Sequence, residues 1–207
     1  MYARCRYLVL PRDLSMSSHS GGLLTNPVPE ISAALRERGS TVRGTLQNQR
    51  QATASPAVRL VGGSQLELDM LCNRTGSRWP SQGKVALRTL ASADGKHYTE
   101  VGWDFAHQAE GTAFYVDHTH CCRDKSTIVQ RAVVEALPTL AEQLRLRVFV
   151  DGGMIEAFSS GVSITALVNP DGSRTRGGPP DSRVSSVMST AAGVACAVSS
   201  YRLRSLH

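Results

Sequence analysis

Between Leu144 and Val168 the chain alternates apolar and polar residues with a period of two, and this pattern restricts the possible architecture more than any other stretch. Leu144, Leu146, Val148 and Val150 alternate with Arg145, Arg147, Phe149 and Asp151. Successive side chains of a strand point to opposite faces, so one face of this run is buried and the other meets water. Asp151-Gly152-Gly153 follows, a turn sequence that accepts positive φ. Met154 to Phe158 reads as the returning strand, and Ser159-Ser160-Gly161 as a second turn. Val162, Ile164, Ala166 and Val168 then line one side of a third strand. Three antiparallel strands in succession form a meander, whose apolar face needs a second layer; a sandwich supplies it.

The flanking sequence extends the same reading. Arg6 to Leu10 is strand-like and ends at Pro11, which limits pairing. Gly21 to Glu30 contains a short extended piece, and Ile31, Ala34 and Leu35 within Glu30 to Arg38 predict a short helix. Gln65 to Leu71 alternates, with Leu66, Leu68 and Met70 inward. Lys84–Leu90, Lys96–Val101 and Thr112–Asp117 read as strands, with Asp94-Gly95 as a hairpin turn. Val184–Met188 and Val194–Leu206 supply the last strands, after a turn-rich loop from Asn169 to Asp181. The fold class expected is all-β: an antiparallel β-sandwich of the concanavalin or lectin-like jelly-roll kind, in one domain.

Composition narrows the functional classes. The net charge is +6, yet the arginines are dispersed as Arg145/Arg147, Arg174/Arg176 and Arg202/Arg204, with no aromatic reading surface beside them. Nucleic acid is therefore not expected as a partner. No apolar run is long enough to span a bilayer, and the first residues lack the apolar core of a signal peptide, so neither a membrane partner nor a leader is expected. Five cysteines (Cys5, Cys72, Cys121, Cys122, Cys196) form an odd, irregular set that does not read as a disulfide framework.

Several segments carry a family resemblance. Leu146 to Gly152 followed by Ile155-Glu156-Ala157-Phe158 resembles the hairpin near the end of family 32 glycoside hydrolases: invertases, inulinases, levanases and related fructan enzymes. Leu10-Pro11-Arg12-Asp13-Leu14-Ser15, Gly22-Leu23-Leu24 and Pro27-Val28-Pro29-Glu30-Ile31 resemble the opening of that family's C-terminal domain, in order and spacing. Val116-Asp117-His118-Thr119 is similar to a third strand end, although the family commonly has Arg where His118 stands. Tyr201-Arg202-Leu203-Arg204-Ser205 resembles the closing strand.

The resemblance implies a connecting segment over 1–38, joining to a five-bladed propeller, and a C-terminal β-sandwich module over 39–207. It makes Asp117, Asp151, Gly152, Glu156 and Phe158 family-diagnostic structural positions. It also implies hydrolysis or transfer of β-fructofuranosyl units in the full-length enzyme, without a metal or organic cofactor. The implied partners are the propeller, sucrose or a fructan, and a second copy in a homodimer. Location would be extracellular or vacuolar if the module belongs to a secreted enzyme.

Two carboxylates flank the bond in such glycosidases. In the family both lie on the propeller, in a Trp-Asn-Asp-Pro run, an Arg-Asp-Pro triplet and a Glu-Cys pair, none of which occurs here. No catalytic residue is therefore assigned, and Glu156 is expected to be a structural carboxylate rather than a catalyst. Asn169-Pro170-Asp171-Gly172 reads as a turn. No Gly-x-Ser-x-Gly elbow supports a hydrolase triad. His118, His120, Cys121 and Cys122 are the metal-like cluster, but no second ligand pair accompanies them, so no metal is assigned. The alternative reading is an autonomous carbohydrate-binding module, with Trp79 as the exposed ring and Trp103 in the core. Asn73-Arg74-Thr75 is an N-glycosylation triplet, relevant to a secreted protein.

Overall fold

The computed structural model describes residues 9–17, 22–38, 41–46, 58–121, 128–133, 143–168 and 184–204. It contains a small leading hairpin, β1 (Arg12–Met16) and β2 (Leu23–Pro27), and one short helix, α1 (Pro29–Leu35). Twelve strands follow: β3 (Val42–Leu46), β4 (Val58–Leu60), β5 (Gln65–Arg74), β6 (Lys84–Ala91), β7 (Thr99–Asp104), β8 (Phe114–Asp117), β9 (Val129–Arg131), β10 (Gln143–Asp151), β11 (Met154–Ser159), β12 (Val162–Leu167), β13 (Val184–Ser189) and β14 (Val194–Arg202). They pair antiparallel into two six-stranded sheets, ordered β12-β11-β10-β5-β14-β3 and β4-β13-β6-β7-β8-β9. The architecture is the expected antiparallel β-sandwich.

The core forms where the alternating faces of the two sheets meet. Leu66, Leu68, Met70 and Cys72 of β5 stand beside Val150, Val148, Leu146 and Leu144 of β10, and all are buried. Val85, Leu87, Val101, Trp103, Phe114 and Val116 answer them from the second sheet. Burying each large side chain contributes roughly 1.5–3 kcal/mol, which is why the period-two pattern decides the register. Trp103 is fully buried, as expected, and its indole N–H donates to Ser159 Oγ at 3.1 Å.

The meander appears as read. Gly152 turns β10 into β11 at φ +60°, and Ser160 and Gly161 turn β11 into β12 at φ +51° and +77°. Two consecutive positive-φ residues match the right-handed twist of the flanking strands.

Some expectations change. The first described strand begins after Pro11 rather than before it; Val9 and Leu10 are not in a strand, and Arg6 to Leu8 lie outside the described residues. The strand expected from Lys96 starts at Thr99, because Ser92 and the Asp94-Gly95 turn close a wider loop through the Ser92 N–H to His97 O bond. Strands β3, β4 and β9 were not expected; each is three to five residues long and too short to show a period. The loop from Asn169 to Asp181 lies outside the described residues.

The cysteine reading is overturned. Cys72 and Cys196 are directly opposed on β5 and β14 and joined by a disulfide across 124 positions of sequence. Cys121 is disulfide-bonded too. The pairing depends on sheet order, which cysteine spacing does not encode.

Candidate functional site

The outer face of the first sheet concentrates the buried charge. Glu67 of β5 and Glu156 of β11 both pair in register with Phe149 of β10, one on each side. Glu156 is 1% exposed, and both of its carboxylate oxygens are occupied. Oε2 accepts the Leu10 backbone N–H at 2.7 Å, and Oε1 accepts Arg12 Nη2 at 2.8 Å. The Arg12 guanidinium also donates to Ser163 Oγ and Thr165 Oγ1 of β12, both at 2.9 Å. It lies over the Phe158 ring, 5.6 Å from the centroid, and Phe158 meets Phe149 edge-on. Glu156 and Phe158 thus form the socket into which the leading segment plugs.

Glu67 is fully buried and equally saturated. It accepts Arg36 Nε and Nη2 and Arg147 Nη2, each at 2.8 Å, and Ser32 Oγ at 3.1 Å. Arg147 also donates to Ser32 Oγ. Burial by itself would raise the Glu67 pKa, but the hydrogen bonds and charges of Arg36 and Arg147 outweigh it and hold the carboxyl below its ordinary range. Ser32 lies in α1 and Arg36 caps it, so this network fastens the helix to the sheet. Arg36 further stacks over Tyr201, 3.6 Å from the ring centroid.

A second charged cluster lies on the outer face of the other sheet. Glu100 accepts the Tyr115 hydroxyl at 2.5 Å and Arg88 Nε at 3.1 Å, and Asp104 accepts Arg131 Nη2 at 3.3 Å. Burial first, then the Glu100 carboxylate, push the Tyr115 phenol well above its ordinary range. Both clusters escape a reading of the sequence, because each joins residues from separate strands. Only the outward parity of Glu67, Glu100 and Glu156 among apolar neighbours hints at them.

The other expected positions serve turns. Asp117 accepts the Thr119 N–H at 2.9 Å and the Thr119 hydroxyl at 2.7 Å, which closes the chain after β8. Asp151 accepts Gln65 Nε2 at 3.2 Å, and the Gly152 N–H donates to Ser64 O at 2.7 Å. Trp79 does not carry the exposed ring expected of it. It is 7% exposed and stacks on Phe105 at 5.8 Å, so the ring is buried rather than presented to a sugar. His120 stacks on Tyr98 at 4.9 Å, and His118 is buried with Nε2 unpartnered. Burial holds the His118 imidazole below its ordinary pKa, with the Asp117 charge acting against it. Cys121 is committed to a disulfide and Cys122 lies outside the described residues. Among the described residues, no three His, Cys, Asp or Glu side chains are grouped to hold a metal ion.

Residues 30–200 match the model for the C-terminal domain of glycosyl hydrolases family 32. The chain belongs to this family of C-terminal domains. Similar solved structures agree in fold. The exo-inulinase of Aspergillus awamori superposes with a TM-score of 0.70 at 20% identity, over 95% of this chain and 36% of that one. Fructan 1-exohydrolase IIa of Cichorium intybus gives 0.63 at 18% identity, over 94% of this chain and 40% of that one. Sucrose-6-phosphate hydrolase of Lactobacillus gasseri gives 0.56 at 16% identity, over 95% and 33%. No curated protein matches by sequence. The chain spans well under half the length of the first two enzymes.

Proposed function

We propose that this chain is the non-catalytic β-sandwich module of a family 32 enzyme that hydrolyses or transfers β-fructofuranosyl units of sucrose or fructans. The observation that carries the reading is the saturation of Glu67 and Glu156. A glycosidase needs a carboxyl pair with free oxygens, roughly 5–9.5 Å apart across the bond. Here Phe149 stands between the two carboxylates, and every oxygen of the pair is held by an internal donor. Incubating the chain with sucrose and with inulin should release no fructose; turnover that survives Glu67→Gln and Glu156→Gln separately, or is lost in either, would overturn a non-catalytic role.

The partner assigned is the catalytic propeller of the same enzyme, with residues 1–38 as the connecting segment. The leading hairpin supports this. Leu14, Met16 and Leu23 share one face of β1 and β2 and are each more than half exposed. Leu24, on the other face, meets Gly161, and the Thr25 N–H donates to Gly161 O at 2.6 Å. An apolar face that is held in place but uncovered suits a partner surface. A family 32 propeller prepared without its own sandwich should bind this chain, and Leu14→Asp with Met16→Asp should abolish binding while leaving the fold of the module unchanged.

A further inference from the structure

Asn73-Arg74-Thr75 is the one Asn-x-Ser/Thr triplet in the sequence. Asn73 sits near the end of β5, between Gln143 of β10 and Ala195 of β14. Strand alternation sends Cys72 into the core and Asn73 to the outer face, where its side chain is exposed. Ala195 and Ala197 are the neighbours on β14 with outward parity, and their small side chains leave the amide uncovered. Thr75 is also exposed, and its backbone N–H is tied to Gly193 O at 2.9 Å.

A second, independent observation lies one residue away. Cys72 is joined to Cys196, and both are buried in the core. Disulfides of this kind form and persist in oxidising compartments, and N-linked glycan transfer takes place in the same secretory environment. The triplet and the disulfide therefore point to one cellular location through unrelated chemistry.

We propose that Asn73 is an N-glycosylation site and that the chain folds in an oxidising secretory compartment. In the transfer, Nδ2 of Asn73 forms a bond to the anomeric carbon of an oligosaccharide carried on a lipid pyrophosphate. The bond from that carbon to the pyrophosphate oxygen breaks, the lipid pyrophosphate leaves, and the amide loses one proton to a base. No oxidant takes part in this step. The disulfide forms separately, when the two thiols pass two electrons and two protons to a disulfide-bearing oxidant of the compartment. The glycan would occupy the Asn73 end of the first sheet's outer face and exclude protein partners there. It would leave free the opposite end of β5, where α1 is fastened to Glu67 through Ser32 and Arg36.

The test is expression of the whole chain behind a cleavable secretion signal in a eukaryotic host. Cell-associated and secreted pools are both examined by intact mass and by non-reducing peptide mapping. One glycan per chain is expected, on the peptide containing Asn73, together with a Cys72–Cys196 linked peptide. A peptide N-glycosidase, an amidase that hydrolyses the glycosylated Asn to Asp, should remove it. Asn73→Gln and Thr75→Ala should lack it and Thr75→Ser should keep it. Transfer acts on the chain as it enters the compartment, so the readout does not depend on how well a variant folds. Unmodified Asn73 in both pools overturns the site, and free thiols at Cys72 and Cys196 overturn the compartment.

Discussion

Arg12 Nη2 lies 2.8 Å from Glu156 Oε1, across 144 positions of sequence. The contact joins the leading segment to the central meander. Its two partners differ in exposure, with the Arg12 side chain at 28% and the Glu156 side chain at 1%. The carboxylate is thus desolvated by the fold and depends on the guanidinium and the Leu10 N–H for compensation.

Removing the cation should therefore cost far more than an exposed ion pair is worth. Arg12→Ala leaves a buried carboxylate with one backbone donor, and the expected loss is about 3 kcal/mol of unfolding free energy. Arg12→Met combined with Glu156→Met should recover much of it, because the desolvated charge is gone. Equilibrium urea unfolding of the three proteins checks both expectations.

Glu67 makes stability depend on acid. Its folded pKa is depressed, so its contribution is complete above the ordinary carboxylate value of 4.5 and is lost as pH falls through the lower folded value. Glu67→Gln should remove this portion of the acid limb. It should also destabilise at neutral pH, since Arg36 and Arg147 lose their shared acceptor. Unfolding free energies measured from neutral to strongly acid pH separate the two effects.

His118 acts in a milder pH window. Burial depresses its folded pKa below the ordinary 6.5, so the unfolded chain takes up the proton first and stability falls as pH drops below 6.5. His118→Gln should flatten the stability profile just below that value without altering the Glu67 limb. Thermal midpoints across mildly acid buffers test it.

Gly102 permits the close approach of β6 and β7. A Cβ there would collide with Val85 O and stand 2.6 Å from Ala86 Cα, both backbone atoms that cannot step aside. Gly102→Ala should cost about 1–3 kcal/mol or more through overpacking. Gly95, at φ +70° in open space, should lose less on the same change, about 1 kcal/mol from backbone strain alone. Paired denaturant titrations give the comparison.

The Cys72–Cys196 disulfide closes a loop of 124 positions. Loop-closure entropy for such a span corresponds to about 4–5 kcal/mol in the chain-entropy model. Cys72→Ser with Cys196→Ser should lower the denaturation midpoint accordingly. Unfolding of this double variant beside the unaltered chain, both without reductant so that the Cys121 disulfide is kept, measures the difference.

Most of the sheet framework is legible in the residues themselves. Leu66, Leu68 and Met70 alternate on β5, and Leu144 to Val150 alternate on β10, because a strand buried on one face must repeat every second residue. The turns at Gly152 and at Ser160-Gly161 are equally legible, since positive φ favours few residue types. Strands β3, β4 and β9 are not, because three to five residues do not establish a period. Trp79 shows a different limit. Its loop setting of Arg, Trp and Pro resembles a surface segment, yet Phe105 lies against it.

The sequence by itself determined the layers: alternation and turn chemistry specify strands buried on one face, which pack as two sheets. Tertiary structure alone decided the partners. Glu156 and Arg12, Glu67 with Arg36 and Arg147, and Cys72 with Cys196 all meet across long stretches of chain. The physical reason is range. Periodicity records which side of a strand a residue faces, a local property, whereas ion pairs and disulfides depend on which strands become neighbours once the sheets assemble.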